Sequence, residues 1–435
     1  MDAEPLFRLM EIAFRELALF AACGFLIGAL DTVAIDLLWF RHMARRWAGQ
    51  PDTARRSLSD LSWSSAPGRH AVFIPAWDEA GVIGPMLENS ARQFGGRNYR
   101  LFVGCYPNDP ATIADIEAAM ELWPKIRLVI CSEPGPTTKA DCLNSLWQAL
   151  EADEAQTRVT YKSVILHDAE DLVDPHEIPL FDRLIDHHDL VQIPVIPLQD
   201  PRSRWIAGHY CDEFAEAHGK DLPMRAALGA GVPAAGVGCA IARSVLGEFA
   251  GQRGGAPFDK DSLTEDYELG LRLAQRGYSG VFARYTNAHG GELIAVRAHF
   301  PATLSAALRQ KTRWAAGISL FGWDRLGWRL TPAELWMRLR DRSTILAALI
   351  LTAGYAAALL GLAILTLTAT TALAPTPLPD YLTVLLSINF GLLLWRLGIR
   401  ALFTGRCYGW RSAVTAIPRM IVSNILAIMV ARRAL

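Results

Sequence analysis

Residues 163–171 read SVILHDAED, a short, largely apolar run that stops in three acids, Asp168, Glu170 and Asp171. A run of this length bounded by polar residues is how a strand buried on both faces of a sheet looks in sequence. Three earlier stretches share the pattern: HAVFIP at 70–75, YRLFVGC at 99–105 and IRLVIC at 126–131, with helical patterning from about Val82 and again over 112–121. Strands alternating with helices specify a parallel α/β sheet covered on both faces. Ligands of such sheets sit beyond the carboxyl ends of the strands, so the residues just past each run carry the chemistry. Pro75 and Ala76 lead into Asp78 and Glu79 after the first run, Asn108 and Asp109 follow the second, and Lys139 in GPTTKADCLN follows the third.

The acids at 168–171 repel one another unless a cation neutralises them. Hard divalent ions such as Mg²⁺ or Mn²⁺ take carboxylate oxygens and bridge them to a diphosphate, so one reading is a metal–nucleotide site. The other is a solvated acidic turn that caps the helix after Pro175. A second acidic segment, FDKDSLTEDYELG at 258–270, opens a helix at Thr264-Glu265-Asp266 that continues through Leu269, Leu271 and Leu273. Taken alone, a capping box accounts for those acids. RQKTRW at 309–314 comes next.

In that order, the strand-end acids, Thr264-Glu265-Asp266 and Gln310-x-x-Arg313-Trp314 resemble the processive members of glycosyltransferase family 2, whose signature runs D, DxD, TED, QxxRW. The resemblance covers about residues 71–314. It implies a GT-A-type, Rossmann-like nucleotide-sugar domain that transfers a sugar from a UDP-sugar, with Mg²⁺ or Mn²⁺ as cofactor. Carried over by position, Asp109 holds the uracil ring, and Pro75, Ala76, Glu79 and Lys139 belong to the nucleotide side. Asp168 and Glu170 form the pair that meets ribose and metal. Asp266 is the base, preceded by Glu265, and Gln310, Arg313 and Trp314 hold the diphosphate and frame the acceptor. Glu170 departs from the pattern, which has Asp there, and leaves both Glu170 and Asp171 open as the metal ligand. The AGVGC segment at 235–239 stands at the family's acceptor-binding segment; Gly238 and Cys239 suit close approach of backbone to a sugar and equally a buried turn.

The strings PAWDEAGVIG, YPNDPAT, PGPTTKADCLN, ILHDAEDL, DEFAEAHGKDLP, SLTEDYELG and RQKTRW resemble, more narrowly, the phage adsorption protein B branch of that family. There a cytoplasmic transferase domain sits between bacterial inner-membrane helices, and longer members continue into a domain that senses cyclic di-GMP; the expectation is that this sensor is absent here. QxxRW implies repeated addition to a growing glycan, with an N-acetylhexosamine favoured as the sugar and an outer-membrane export or receptor partner. The alternatives are a single-sugar transferase acting on a lipid-linked acceptor and a non-catalytic membrane scaffold.

The composition agrees with membrane contact. Hydrophobic residues make up 51%; adding the 34 glycines and leaving out the 10 tyrosines gives about 57%, above the roughly 45–50% of ordinary globular chains. Lys and Arg (43) nearly balance Asp and Glu (44), so no basic surplus points to nucleic acid. The seven cysteines are scattered without a CxxC pair, which excludes a zinc ribbon or disulfide scaffold and suits a reducing compartment.

Residues 17–40 are long enough to span a bilayer core of roughly 30 Å. The acidic start, Asp2, Glu4 and Glu11, and the length argue against a cleaved signal. Arg41, His42, Arg45, Arg46, Arg55 and Arg56 follow, which places the next segment in the cytoplasm. Residues 345–365 read as a second span and 381–397 as a third, followed by Arg396, Arg400, Arg406 and Arg411. Residues 412–435 carry Arg419, Arg432 and Arg433, and an interfacial helix is favoured over a fourth span. The expected division is 1–57 for the first span and linker, 58–342 for the catalytic domain, and 343–435 for the C-terminal helices. Asp31 and Asp36 are read as facing other helices.

Overall fold

The computed structural model describes residues 3–48, 56–328 and 331–435; Asp2, the Arg46 side chain and Arg55 lie outside the described residues. The apolar runs form the strands Arg69–Pro75 (β1), Tyr99–Cys105 (β2), Ile126–Ile130 (β3) and Tyr161–Leu166 (β4), all parallel. Leu190–Gln192 (β5), Cys239–Ala242 (β6) and Gly280–Phe282 (β7) complete a seven-stranded sheet of order β3-β2-β1-β4-β6-β5-β7, in which β6 runs antiparallel to both neighbours.

Alternation along β1 divides the core. Val72 lies in register between Leu101 and Ile165 and, with Ile74 and Val103, faces the helices Ile83–Phe94, Pro110–Leu122 and Glu177–Leu184. Ala71 and Phe73, with Phe102, Val164 and Leu166, face the helices Lys139–Thr157, Arg243–Gln252 and Glu265–Gln275. Each fully buried Val, Leu, Ile or Phe contributes about 1.5–3 kcal/mol, so the strand register is strongly specified.

Among the described residues four helices are long and apolar enough to cross a membrane: Glu4–Arg45, Thr344–Thr370, Asp380–Tyr408 and Trp410–Ala434. The first and second pack closely where glycines allow it, Gly24 against Ile350 and Gly354 against Phe25. The last lies on the helices Ile206–Glu216 and Leu304–Ala315. Its Arg419 makes a two-pronged bond to buried Asp212 (2.7 and 2.6 Å), and Leu426 and Val430 pack on Leu308 and Ala315. Asp36 and Asp31 do face other elements. Asp36 accepts from Lys220 (2.5 Å) and from the Trp395 indole (2.8 Å), and Asp31 from the Trp336 indole (2.5 Å). Lys220 also meets Glu216, which in turn pairs with Arg396 and Arg400. This buried ion cluster joins the long helices to the α/β unit.

Candidate active site

The carboxyl ends of β1, β2 and β4 gather most of the expected residues. Pro75 ends β1 in register with Gly104, and the buried Ala76 donates its N–H to Gly104 O (2.8 Å). The chain then turns through Asp78 in a left-handed conformation (φ 57°), a region that non-glycine residues enter at a cost and that clusters at functional sites. Glu79 donates its N–H to Thr112 Oγ1 at 3.0 Å. Burial, then the negative charges of Asp168, Asp78 and Asp109, raise the Glu79 carboxyl above its usual range.

Asp109 is engaged through both carboxylate oxygens. One carboxylate oxygen accepts from Thr112 N (3.3 Å), capping the Pro110–Leu122 helix, and the other accepts from Asp78 N (2.7 Å). Proline at the first helical position and Asp at the cap make a strong helix start. Asp109 is buried there and clamps the turn after β1, a structural duty that the sequence did not show. Nearby, Trp77 meets Tyr106 edge-on with ring centroids 5.3 Å apart.

At the end of β4 the acids separate into two kinds. The fully buried His167 is held between Asp171 Oδ2 (2.9 Å) and Glu177 Oε2 (3.0 Å), and Asp171 Oδ2 also accepts from Asp168 N (3.0 Å). Burial alone lowers a histidine pKa, but Glu177 and Asp171 outweigh it and hold His167 up at about 10, a cation inside the turn. Asp171 is therefore engaged by His167, and Glu170 is the neighbouring acid outside that pair. Burial by the surrounding turn, then Asp168, Asp171 and Glu79, push the Glu170 carboxyl up to about 7. The helix after Pro175 uses neither Asp168 nor Glu170 as a cap: Glu177 accepts from Asp174 N and Asp174 from His176 N. His167 and Glu177 were not singled out in the sequence, although a histidine at a buried strand end signals a need for partners.

The second acidic segment is not a capping box either. Thr264 makes no side-chain cap bond, and Ser262 Oγ instead donates to Glu268 (2.8 Å). Glu265 and Asp266 are thus left to face the cleft. Asp266 Oδ1 accepts only the N–H of its neighbour Tyr267 (2.7 Å), while Oδ2 lies against Gly236, where any Cβ would overlap it. Gly236 has φ +73° and its carbonyl lies 3.5 Å from Lys139 Nζ. Lys139, first residue of its helix, is ion-paired with Asp168 and also feels Glu265 and Asp266, which together outweigh burial and raise its pKa. Burial raises the Asp266 carboxyl, and Lys139 and Arg313 offset part of that.

Gly238 and Cys239 lie inside the sheet. Gly238 N donates to Leu166 O, its carbonyl accepts from Ile193 N, and Cys239 is wholly buried with its thiol pushed up to about 12, first by burial. Both lie in the buried turn, and Gly236, two residues earlier and likewise buried, is the glycine that lies against Asp266. On the Leu304–Ala315 helix, Arg313 donates to Leu263 O (3.1 Å), the Gln310 side-chain carbonyl is buried without a partner, and Trp314 stands edge-on to Tyr210 at 6.3 Å.

Glu79, Asp168, Glu170, Glu265 and Asp266 thus confront Lys139 and Arg313, a cleft with excess negative charge. A nucleoside diphosphate would add more, and Asp168 and Glu170 carry the kind of carboxylate oxygens that a divalent cation takes. Among the described residues no group of three or more His, Cys, Asp or Glu is placed to hold a metal ion unaided.

A family model, "Glycosyltransferase like family 2", matches residues 67–317. Bacteriophage adsorption protein B of Escherichia coli strain K12 and Bacteriophage N4 adsorption protein B of Escherichia coli O157:H7 are each 34% identical over 97% of this chain, which spans 59% of their length. The mannosyltransferase PcManGT of Pyrobaculum calidifontis, solved with GDP-Man and Mn²⁺, superimposes with a TM-score of 0.52 at 18% identity over 94% of this chain and 99% of that one. The GT-A-like fold expected from the motifs is borne out, and the chain belongs to glycosyltransferase family 2.

Proposed function

We propose that this glycosyltransferase is a bacterial inner-membrane enzyme that transfers a sugar from a UDP-sugar to a growing glycan by inversion. The observation that carries this reading is the unspent pair Glu265 and Asp266, free of capping duty and set across Gly236 from Lys139 and Asp168. The acceptor hydroxyl loses its proton to an Asp266 oxygen as its own oxygen attacks the anomeric carbon. The bond from that carbon to the β-phosphate oxygen breaks, and UDP leaves from the opposite face with the electron pair. Lys139 and Arg313 meet the charge that develops on the diphosphate. Asp168 and Glu170 would hold Mg²⁺ or Mn²⁺, which supplies Lewis-acid neutralisation of the diphosphate. Trp314 offers an aromatic face to the acceptor sugar.

On this reading residues 58–342 form the cytoplasmic catalytic domain, 1–57 the first span and its linker, and 343–435 the remaining membrane and interfacial helices. The packing of Trp410–Ala434 along the α/β unit supports an interfacial placement for that helix. An N-acetylhexosamine is the favoured donor sugar, and QxxRW supports repeated addition. A surface glycan, delivered through an outer-membrane partner, would also connect a transferase to relatives named for phage adsorption. A lipid-linked acceptor is the second reading, favoured by the core that Ile35, Trp39, Ile399 and Phe403 share with Ala215 and Met224 of the α/β unit. The test is incubation of the full chain in lipid nanodiscs with a panel of UDP-sugars and Mn²⁺. Products that lengthen under excess donor support the glycan polymerase, a single added sugar on lipid supports the second reading, and no turnover with any donor argues against both.

A further inference from the structure

Tyr267 directly follows Asp266, and its phenol donates to Asp341 Oδ2 at 2.5 Å. Asp341 stands in the last turn of the Pro332–Arg342 helix, just before Thr344–Thr370 begins. The same carboxylate takes both of its oxygens to the buried Arg225 (3.0 and 2.8 Å), whose Nε donates to Gly231 O (2.6 Å). The backbone carbonyl of Asp341 accepts from Ser319 Oγ (3.0 Å) and lies 3.4 Å from Thr344 Oγ1. Ser319 belongs to the π-helical turn Ala316–Phe321 that follows Trp314, and single π turns are frequent at functional sites. Gly317 in that turn lies so close to Thr264 that a Cβ would meet its Oγ1 at 2.6 Å. One acidic residue therefore joins the helix of the candidate base, the turn after Trp314 and the foot of a long apolar helix.

We infer that Tyr267 and Asp341 are positioning residues, a strut that registers the Asp266 carboxylate against Arg313–Trp314 and against the first helix of the C-terminal membrane set. The inference rests on Asp266 acting as the base. Hydrogen bonds to a carboxylate are the stronger kind, and Arg225 fixes the acceptor so that the phenol has one place to bind. A displacement of about 1 Å at a reacting group is enough to cost about 10²-fold in rate. Among the described residues neither Tyr267 nor Asp341 bonds to Glu79, Lys139 or Asp168, so the strut acts on donor binding only indirectly, through Asp266 and Arg313.

The experiment uses the full chain in nanodiscs and Tyr267→Phe, which removes one hydroxyl and leaves Asp341 paired with Arg225. The expected result is a fall of about tenfold in kcat for UDP release, with the donor KM within about twofold. Asp341→Asn keeps an acceptor for the phenol and should lose less than Asp341→Ala. Hydrogen exchange provides a readout that needs no donor: amides 265–268 should exchange at least about fivefold faster in Tyr267→Phe, while those of 161–166 stay protected. An unchanged kcat in Tyr267→Phe overturns the strut, and where no donor turns over, unchanged exchange at 265–268 does so. Full turnover in Asp266→Asn would instead remove the reading on which it rests; an inactive Asp266→Asn beside a fully active Tyr267→Phe sinks the strut alone.

Discussion

Lys139 Nζ and Asp168 Oδ1 are ion-paired across the carboxyl ends of the strands, so the helix that leaves β3 neutralises the acidic turn that leaves β4. The same ammonium feels Glu265 and Asp266 from the other side of the cleft. Lys139→Met should therefore leave three carboxylates without their shared cation and remove a donor aimed at the diphosphate. The expected loss in kcat/KM is about 10²–10³-fold, read as UDP release with saturating Mn²⁺.

The two acids after Asp168 should respond differently. Glu170→Gln is expected to abolish metal-dependent binding of UDP, measured by calorimetry, with little change in melting temperature. Asp171→Asn leaves protonated His167 short of a buried partner and should instead cost about 3–5 kcal/mol of stability. Equal loss of metal-dependent binding in both variants would return Asp171 to the ligand set.

His218 gives the folded state a pH dependence with a defined sign. Its Nδ1 accepts from Val195 N (3.0 Å) and its ring stacks on Phe214 with centroids 5.0 Å apart. Burial, then Arg284, push the imidazole down to about 3, against about 6.5 in an unfolded chain. Below about 6.5 the unfolded state binds a proton that the folded state refuses, so this contribution is complete above that pH and is lost progressively toward 3. The slope approaches about 1.4 kcal/mol per pH unit. His218→Asn retains an acceptor for Val195 and should flatten the difference in stability between pH 7 and pH 5; parallel curves for the two proteins would contradict this assignment.

Much of the α/β fold was legible because β1, β2 and β4 are buried on both faces and so carry unbroken apolar runs, VFI in β1 and VIL in β4, whereas the edge strand β3 is only half-buried. Leu190–Gln192 and Gly280–Phe282, at three residues each, are too short to show any period, and the antiparallel β6 starts at Cys239, the last residue of the segment read for acceptor contact. The helix expected over 17–40 runs over Ala3–Trp47, with polar turns beyond the apolar stretch at both ends; in the added N-terminal part Glu11 accepts from Thr376 N and Arg15 donates to the carbonyls of Thr376 and Pro377. Residue type at the site was equally legible, but pairing was not. That Asp109 is a cap, that Asp171 belongs to His167, and that Gly236 rather than Gly238 touches Asp266 depend on how each turn is folded, which residue type alone does not show.

Arg419 and Asp212 form a buried pair between the final helix and the α/β unit, with Gly208 leaving room for the guanidinium. Arg419→Met strands the Asp212 carboxylate and should cost about 3–5 kcal/mol. Adding Asp212→Leu should recover much of that loss, because a well-packed apolar pair is often as stable as a buried ionic one. Thermal unfolding of both variants in one detergent checks the order.

The most direct test of the central claim is the rate of UDP release from a UDP-sugar by the full chain and by Asp266→Asn, each with Mn²⁺ and with EDTA. The account predicts metal-dependent turnover that falls by about 10²–10⁴-fold in the variant, while UDP binding is retained. Turnover in Asp266→Asn equal to that of the parent chain would contradict it.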